Sequence, residues 1–318
     1  MTANLAAEVK KVNQAGITVW LRFLFEMVWS SSKILLSWLQ ANLYFSQNGG
    51  WMSYGLDPTS YVQLWKEVTT SVRAQTNETF MLWSPNIFTG QVNDPSQGYV
   101  PYFPGEQYVD IAGLSFYSLG FNKSVNEAPS NSLFRDNFTP FYNLLNPANL
   151  ASTKSNLLGL SASIPVVISE TSAPFYYILP KSSPYYAQAG DTDISEPLNT
   201  SSYTPSLASP PYSNSDDELF IKASWYVQLT SNVTAAAFPN LIAVSIFNYL
   251  KRGGDGSAPV LADFRAVGGN ATVEQWFRND IGNQTAYDLG YTGAATKLGS
   301  GWMLSSVGLA LGVLILRG

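Results

Sequence analysis

An α/β fold built on a parallel sheet, of the (β/α)₈ TIM-barrel type, is what this sequence predicts, and three observations predict it. Short apolar runs rich in β-branched and aromatic residues recur along the 318 residues. Segments with helical periodicity separate them, which is the pattern of successive βα units. Several of the runs end in a polar residue, at Glu26, Asn86, Tyr117, Glu170 and Asn248, and in such a barrel the C-terminal strand ends build the active site. The length suits one large α/β domain or two small ones.

Taken in order, the first segment reads as an amphipathic helix stopped by Gly16. Ile17-Thr-Val-Trp-Leu-Arg-Phe-Leu-Phe-Glu26 is apolar and β-branched, as a buried parallel strand would be. A helix comes next over 58–75. Thr79-Phe-Met-Leu-Trp-Ser-Pro-Asn86 is a short strand broken by Pro85, and a Pro, Gly and aromatic loop covers 87–105. Tyr108-Val-Asp-Ile-Ala-Gly-Leu-Ser-Phe-Tyr117 gives a third strand, 133–146 a helix, and Pro165-Val-Val-Ile-Ser-Glu170 a fourth strand. Residues 174–215, rich in Ser, Pro and Tyr, read as a long surface loop or lid. A helix with an acidic first turn covers 216–229. Leu241-Ile-Ala-Val-Ser-Ile-Phe-Asn248 is the fifth strand, and a polar region containing Asp263-Phe-Arg265 closes the domain.

Composition removes whole classes of chemistry. There is no His and no Cys. A Ser-His-Asp triad, histidine or thiolate metal sites and a disulfide framework are therefore excluded. An enzyme with this sequence must move protons with carboxylates, Tyr or Lys. The net charge of −5 and the absence of a basic patch argue against nucleic acid as a partner. No metal constellation or calcium-loop spacing stands out, and no cofactor is expected. The 14% aromatic content suits stacking on sugar rings and equally suits a large aromatic core.

The ordered motifs resemble glycoside hydrolase family 26, the β-mannanase-like members of the retaining barrel hydrolases. Arg22-Phe-Leu-Phe-Glu-Met27 is similar to the family's fourth strand, which ends in the acid/base Glu. Trp83-Ser-Pro-Asn86 is similar to the fifth. Tyr102-Phe-Pro-Gly-Glu-Gln-Tyr-Val-Asp-Ile-Ala-Gly-Leu-Ser-Phe-Tyr117 is similar to a Tyr-Pro-Gly loop and the sixth strand. Ile168-Ser-Glu170 resembles the seventh strand with the nucleophile. Ile246-Phe-Asn248 and Asp263-Phe-Arg265 resemble the eighth strand and the segment after it. The resemblance spans about residues 5–267. It implies an incomplete barrel with strands four to eight present, the first three being absent. It also implies a retaining glycosidase acting on β-linked polysaccharide, mannan or a related β-glycan, by double displacement between two carboxylates about 5 Å apart.

On this reading Glu26 is the acid/base and Glu170 the nucleophile. Tyr117 hydrogen-bonds the nucleophile and Arg22 orients the carboxylates. Asn48 contacts the sugar 2-hydroxyl, Trp51 and Trp83 are candidate stacking platforms with core packing as the commoner role of a single Trp, and Asn86 and Asn248 are further substrate contacts. The sequence departs from the family at Phe25, where a His is expected. It departs again after Met27, where Val28 to Gln47 intervene before Asn48-Gly-Gly-Trp51. Deleting 28–47 restores Glu-Met-Asn-Gly-Gly-Trp, so this stretch reads as a retained intron, with an amphipathic loop insertion as the competing reading. These departures favour the alternative of a catalytically inactive barrel that binds cell-wall glycan.

Residues 1–290 thus form a glycoside hydrolase-like barrel domain and 291–318 a separate tail. In the tail, small residues at Gly293, Ala294 and Ala295 precede a polar spacer and an apolar end. That order matches a GPI-anchor signal, with a short membrane anchor or a buried helix as alternatives. N-x-Ser/Thr sequons at Asn77, Asn122, Asn137, Asn199, Asn232, Asn270 and Asn283 suit a glycoprotein of the extracellular cell surface or wall. The N-terminus carries no signal peptide; the expectation is that the start of the natural protein is missing. A monomer, touching the membrane only through the tail, is expected.

Overall fold

The structure is a computed structural model. It describes residues 2–25, 57–88, 96–118, 126–145, 158–161, 163–186, 192–193, 200–206, 217–253, 259–281, 287–289 and 311–316. The chain divides into two compact units, Met1–Ser115 with Asp136–Ser169, and Phe116–Arg135 with Glu170–Gly318.

The first unit opens on α1 (Thr2–Gln14), which buries Ala6, Val9 and Asn13 on one face. It ends at Gly16, whose φ of 79° is the left-handed conformation that glycine adopts without penalty. Asn13 fastens the chain beyond the helix. Its side-chain amide donates to Ile17 O (2.8 Å) and Glu78 O (3.1 Å), and its carbonyl accepts from the Thr76 and Thr79 hydroxyls (both 2.7 Å). All four hydrogen-bonding positions of the carboxamide are thereby filled.

Next come β1 (Val19–Leu21), α2 (Pro58–Arg73), β2 (Thr79–Trp83), a short α3 (Ser96–Tyr99) and β3 (Ile111–Ser115). The bulk of α4 (Leu133–Leu145) and the first residues of β4 (Val166–Thr171) complete the unit. α2 starts where sequence chemistry dictates. Asp57 caps the amides of Thr59 and Ser60, and Pro58 sits in the first turn. Its buried face, Tyr61, Trp65, Val68, Thr69 and Val72, has helical spacing. β1 pairs parallel with β2, and β2 with β3; β4 is next in the order, with Ala112 N–H on Pro165 O at 3.0 Å. Strands adjacent in chain order with helices between them are the (β/α) progression of a barrel. At the middle of β3 a glycine is required: a Cβ on Gly113 would stand 2.9 Å from Leu82 Cδ1 and 3.1 Å from Val167 Cγ2.

The second unit holds the end of β4, then β5 (Phe175–Ile178), β6 (Thr192–Asp193), α5 (Glu218–Thr230) and α6 (Asn232–Ala237). After these come β7 (Leu241–Phe247), β8 (Leu250–Gly253), β9 (Val260–Asp263), α7 (Ala271–Trp276), β10 (Tyr287–Leu289) and β11 (Leu311–Leu316). Asp217 caps α5 by accepting from Phe220 N–H at 2.7 Å. Under α5 lies an aromatic core in which Trp225 meets Phe116 (5.2 Å) and Phe134 (6.1 Å) edge-on.

Three expectations need correction. The strand expected over 17–26 is confined to Val19–Leu21; at Leu24 the backbone turns to φ 47°, a conformation a branched side chain adopts only under strain, and the extended run cannot pass it. The span 174–215 is not only loop. β5 and β6 belong to an antiparallel sheet ordered β5-β9-β8-β6, and β5 pairs with β9 from Phe175–Asp263 to Ile178–Val260. In the tail, 311–316 is a strand, β11, hydrogen-bonded antiparallel to β7 and β10, and not the helix given as one alternative. No helix among the described residues is long and apolar enough to cross a membrane.

Candidate active site

Glu26, Asn48 and Trp51 lie outside the described residues. The other expected site residues divide between the two units.

In the first unit, Arg22 comes directly after β1. Its Nε donates to Ser84 Oγ at 3.1 Å, its Nη2 donates to Ser115 Oγ, and Ser84 Oγ is 2.5 Å from Ser169 Oγ. Ser84 and Ser115, at the ends of β2 and β3, thus hold the guanidinium, and Ser84 is tied in turn to Ser169 within β4. Phe25, the departure from the expected His, lies with its ring centroid 4.3 Å from the guanidinium carbon. Arg22 is held by hydroxyls and a ring face, which fixes its plane.

Trp83 is not placed as a sugar platform. It is fully buried (0% exposed), its indole N–H donates to Tyr102 O at 3.1 Å, and Phe103 and Phe141 lie 5.3 and 6.2 Å from it. A stacking platform must offer a face to the ligand, and this ring's surface is consumed by packing. Much of the chain's aromatic content goes the same way: Tyr61, Trp65, Tyr99, Tyr102, Phe138 and Phe141 are all buried in this unit. Burial pushes the Tyr102 phenol up to about 12, helped by the Asp57 charge. Asn86 is half-buried beyond β2; it bridges to Ser115, and its side-chain carbonyl accepts the Ile87 amide at 2.9 Å.

In the second unit, Glu170 stands near the C-terminal end of β4 and is 8% exposed. The Tyr117 hydroxyl donates to its Oε1, and its backbone carbonyl accepts from Phe116 N–H at 2.9 Å. Tyr117 is itself held edge-on by Phe247 (5.9 Å, 79°) and Phe264 (5.7 Å, 75°). A nearly buried carboxylate costs several kcal/mol unless hydrogen-bonded or charge-paired. Here the phenol supplies a charge-assisted bond that offsets this cost and fixes where Oε1 points. Asn248 has a different role from the one expected. Its carbonyl accepts the Ala266 (2.7 Å) and Val267 (2.9 Å) amides and its amide donates to Val267 O (2.9 Å). Three of its four hydrogen-bonding positions are therefore spent on the backbone after β9.

The sequence reading missed a buried ionic quartet in this unit. Lys222, fully buried on α5, donates to Glu218 Oε1 (2.5 Å) and Arg265 O (2.7 Å) and lies 3.8 Å from Asp263 Oδ1. Arg265 clamps Asp263 with bonds of 2.9 and 2.7 Å from Nε and Nη2. Glu218 Oε2 accepts from Tyr177 OH (2.7 Å) and Asn270 (2.9 Å). Burial raises the Asp263 carboxyl, but the Lys222 and Arg265 charges outweigh it and hold the pKa below the ordinary value of 3.8. Burial also lifts the Tyr177 phenol far above its usual range, with Glu218 adding to it. The i,i+4 spacing of Glu218 and Lys222 and the Asp-x-Arg spacing both stand in the sequence, but nothing local to either shows that they meet. Among the described residues no group of three or more acidic side chains gathers to hold a metal.

The family model for glycosyl hydrolase family 26 matches residues 39–196. By position that stretch includes Asn48, Trp51, Trp83, Asn86, Tyr117 and Glu170, while Arg22, Glu26 and Asn248 fall outside it. Among solved structures, the catalytic domain of an endo-β-1,4-mannanase from Bacillus sp. JAMB-750 aligns at 23% identity over 40% of this chain and 29% of that one, with a TM-score of 0.28, too low to carry any argument about geometry. The alignment thus spans under a third of that domain. None of the curated proteins matches.

Proposed function

The chain belongs to glycosyl hydrolase family 26, a family of (β/α)₈ barrels whose members are glycosidases, and from that premise we propose that it hydrolyses β-mannan or a related β-glycan with retention of configuration. The observation that carries the reading is Glu170: a nearly buried carboxylate at a strand end with a phenol hydroxyl on one oxygen. Glu170 is the nucleophile and Tyr117 holds it in the attacking orientation. Glu26 protonates the leaving oxygen and then activates water. Arg22 is locked by Ser84 and Ser115, and Asn48 and Trp51 contact sugar. β1, β2, β3, β4 and β7 stand as barrel strands four to eight. Residues 28–47 are an insertion between the acid/base and its Asn-Gly-Gly-Trp continuation. The protein is a monomer at the cell surface, held by a lipid anchor added at the tail.

The test is hydrolysis of β-1,4-mannan by the full chain with and without 28–47, with NMR of the anomeric protons of the first product. The β anomer should appear first. Glu170→Gln should lower kcat on the order of 10³-fold or more. An α anomer as first product, or an undiminished Glu170→Gln, would overturn the mechanism. Binding of mannan without any turnover would make the chain a glycan-binding relative.

A further inference from the structure

We propose that Phe264 is a positioning residue for Glu170: its ring, on a backbone pinned from both sides, holds the Tyr117 hydroxyl on the carboxylate. The proposal rests on Glu170 being the nucleophile.

The Phe264 backbone has little freedom. Its N–H donates to Tyr249 O at 2.8 Å, and its carbonyl accepts from Ser172 Oγ at 2.6 Å. Ser172 lies two residues after Glu170 and is also 3.0 Å from Tyr226 OH. On one side of Phe264, Asp263 is gripped by Arg265, whose own amide donates to Asp263 Oδ1 at 2.9 Å. On the other, Arg265 Nη1 donates to Gly268 O at 3.0 Å, and Asn248 takes the next two amides. The ring is therefore delivered to one place. There it stands 75° to Tyr117 at 5.7 Å and 79° to Phe247 at 5.3 Å, and Tyr117 and Phe247 meet at 79° and 5.9 Å. Three mutually edge-on rings leave the phenol no room to swing. A hydroxyl at the far end of a long side chain turns a small ring rotation into a large displacement. Misplacing a catalytic contact by about 1 Å can cost about 10²-fold in rate.

Phe264→Leu keeps most of the apolar volume and removes the edge-on wall. With the full chain and β-1,4-mannan, kcat should fall about tenfold while KM stays within about twofold, as expected when only transition-state orientation is lost. Tyr117→Phe should do the same. The double variant should be no worse than Tyr117→Phe alone, because the first change acts only through the second residue. Phe238→Leu, at a buried ring that meets Phe134, controls for general loosening and should leave kcat unchanged. Should Phe264→Leu fail to fold, Ser172→Ala, which frees the Phe264 carbonyl, replaces it with the same expectations. A second readout needs no activity. With ring-carbon-labelled tyrosine, the NMR signal absent from Tyr117→Phe identifies Tyr117, and it should move in Phe264→Leu but not in Phe238→Leu. Independent losses that multiply in the double variant, or a Tyr117 signal that stays in place, overturn the proposal. If the wild-type chain hydrolyses nothing, or Glu170→Gln is unimpaired, the assignment of Glu170 fails instead, and the NMR signal still decides whether Phe264 sets Tyr117.

Discussion

Replacing Lys222 with Met should destabilise the protein more than any surface charge change. The side chain is fully buried and sits between Glu218 and Asp263, donating to Glu218 at 2.5 Å and to Arg265 O at 2.7 Å. Removing one partner of a buried pair leaves the other charge uncompensated, which costs about 3–5 kcal/mol. Two features pull the figure to the low end. Asp263 keeps its two-pronged clamp from Arg265, and Glu218 keeps Tyr177 and Asn270 as donors. About 3 kcal/mol is therefore expected for Lys222→Met. At about 2–4 °C per kcal/mol for large domains, the melting point should drop by about 6–12 °C in calorimetry at pH 7. Adding Glu218→Gln removes the stranded charge while keeping an oxygen for Tyr177 and Asn270, and the pair should regain about half of the loss. A single variant costing under about 1 kcal/mol, or a double variant whose losses simply add, would refute the picture of a coupled quartet.

Two further outcomes rest on Asp263 and Gly113. Asp263 has its pKa lowered in the folded state, so its stabilisation is complete above the unfolded carboxylate value of about 4 and disappears as pH falls through the still lower folded value. Acid unfolding of the wild type monitored by circular dichroism should accordingly steepen below pH about 4, and Asp263→Asn should flatten that limb; equal steepness in both would rule out Asp263 as its source. Gly113→Ala should cost about 1–3 kcal/mol in urea unfolding, because the new methyl meets Leu82, Val167 and Ser169 at 2.9–3.2 Å; a neutral result would mean these neighbours yield freely.

The elements legible in sequence were those whose partners lie within one βα unit. α2 and α5 arise from helical spacing with an Asp cap, and Val166–Thr171 from an unbroken apolar run ending at Glu170. Glu170 and Tyr117 were both named from strand ends, and they do meet. The antiparallel sheet was not legible. β5 is four residues long and its partner β9 comes some eighty residues later, so neither shows a local pattern. For Trp83 a platform and core packing both stood open, because sequence gives ring type and not exposure; its surface is taken up by Phe103 and Phe141. Asn248 was placed correctly at a strand end, but the amides of Ala266 and Val267 claim its side chain. Lys222 and Glu218 are one helical turn apart in the sequence, and only the fold puts Asp263 and Arg265 against Lys222.

The Asn13 fastener bears on how this chain accommodates extra sequence. It ties the end of α1, the entry to β1 and the entry to β2 together with bonds that none of residues 26–56 supplies. The register of β1 on β2, Val19 opposite Thr79, is thus set from outside that stretch. For that register, growth between the two strands adds the entropy of closing a longer chain, which rises with the logarithm of its length. Going from 11 to 31 residues, the difference that 28–47 makes, adds only about 1 kcal/mol. On the proposed reading, in which Glu26 is the acid/base, a twenty-residue insertion beside it would be felt in catalysis before it was felt in the pairing of β1 with β2.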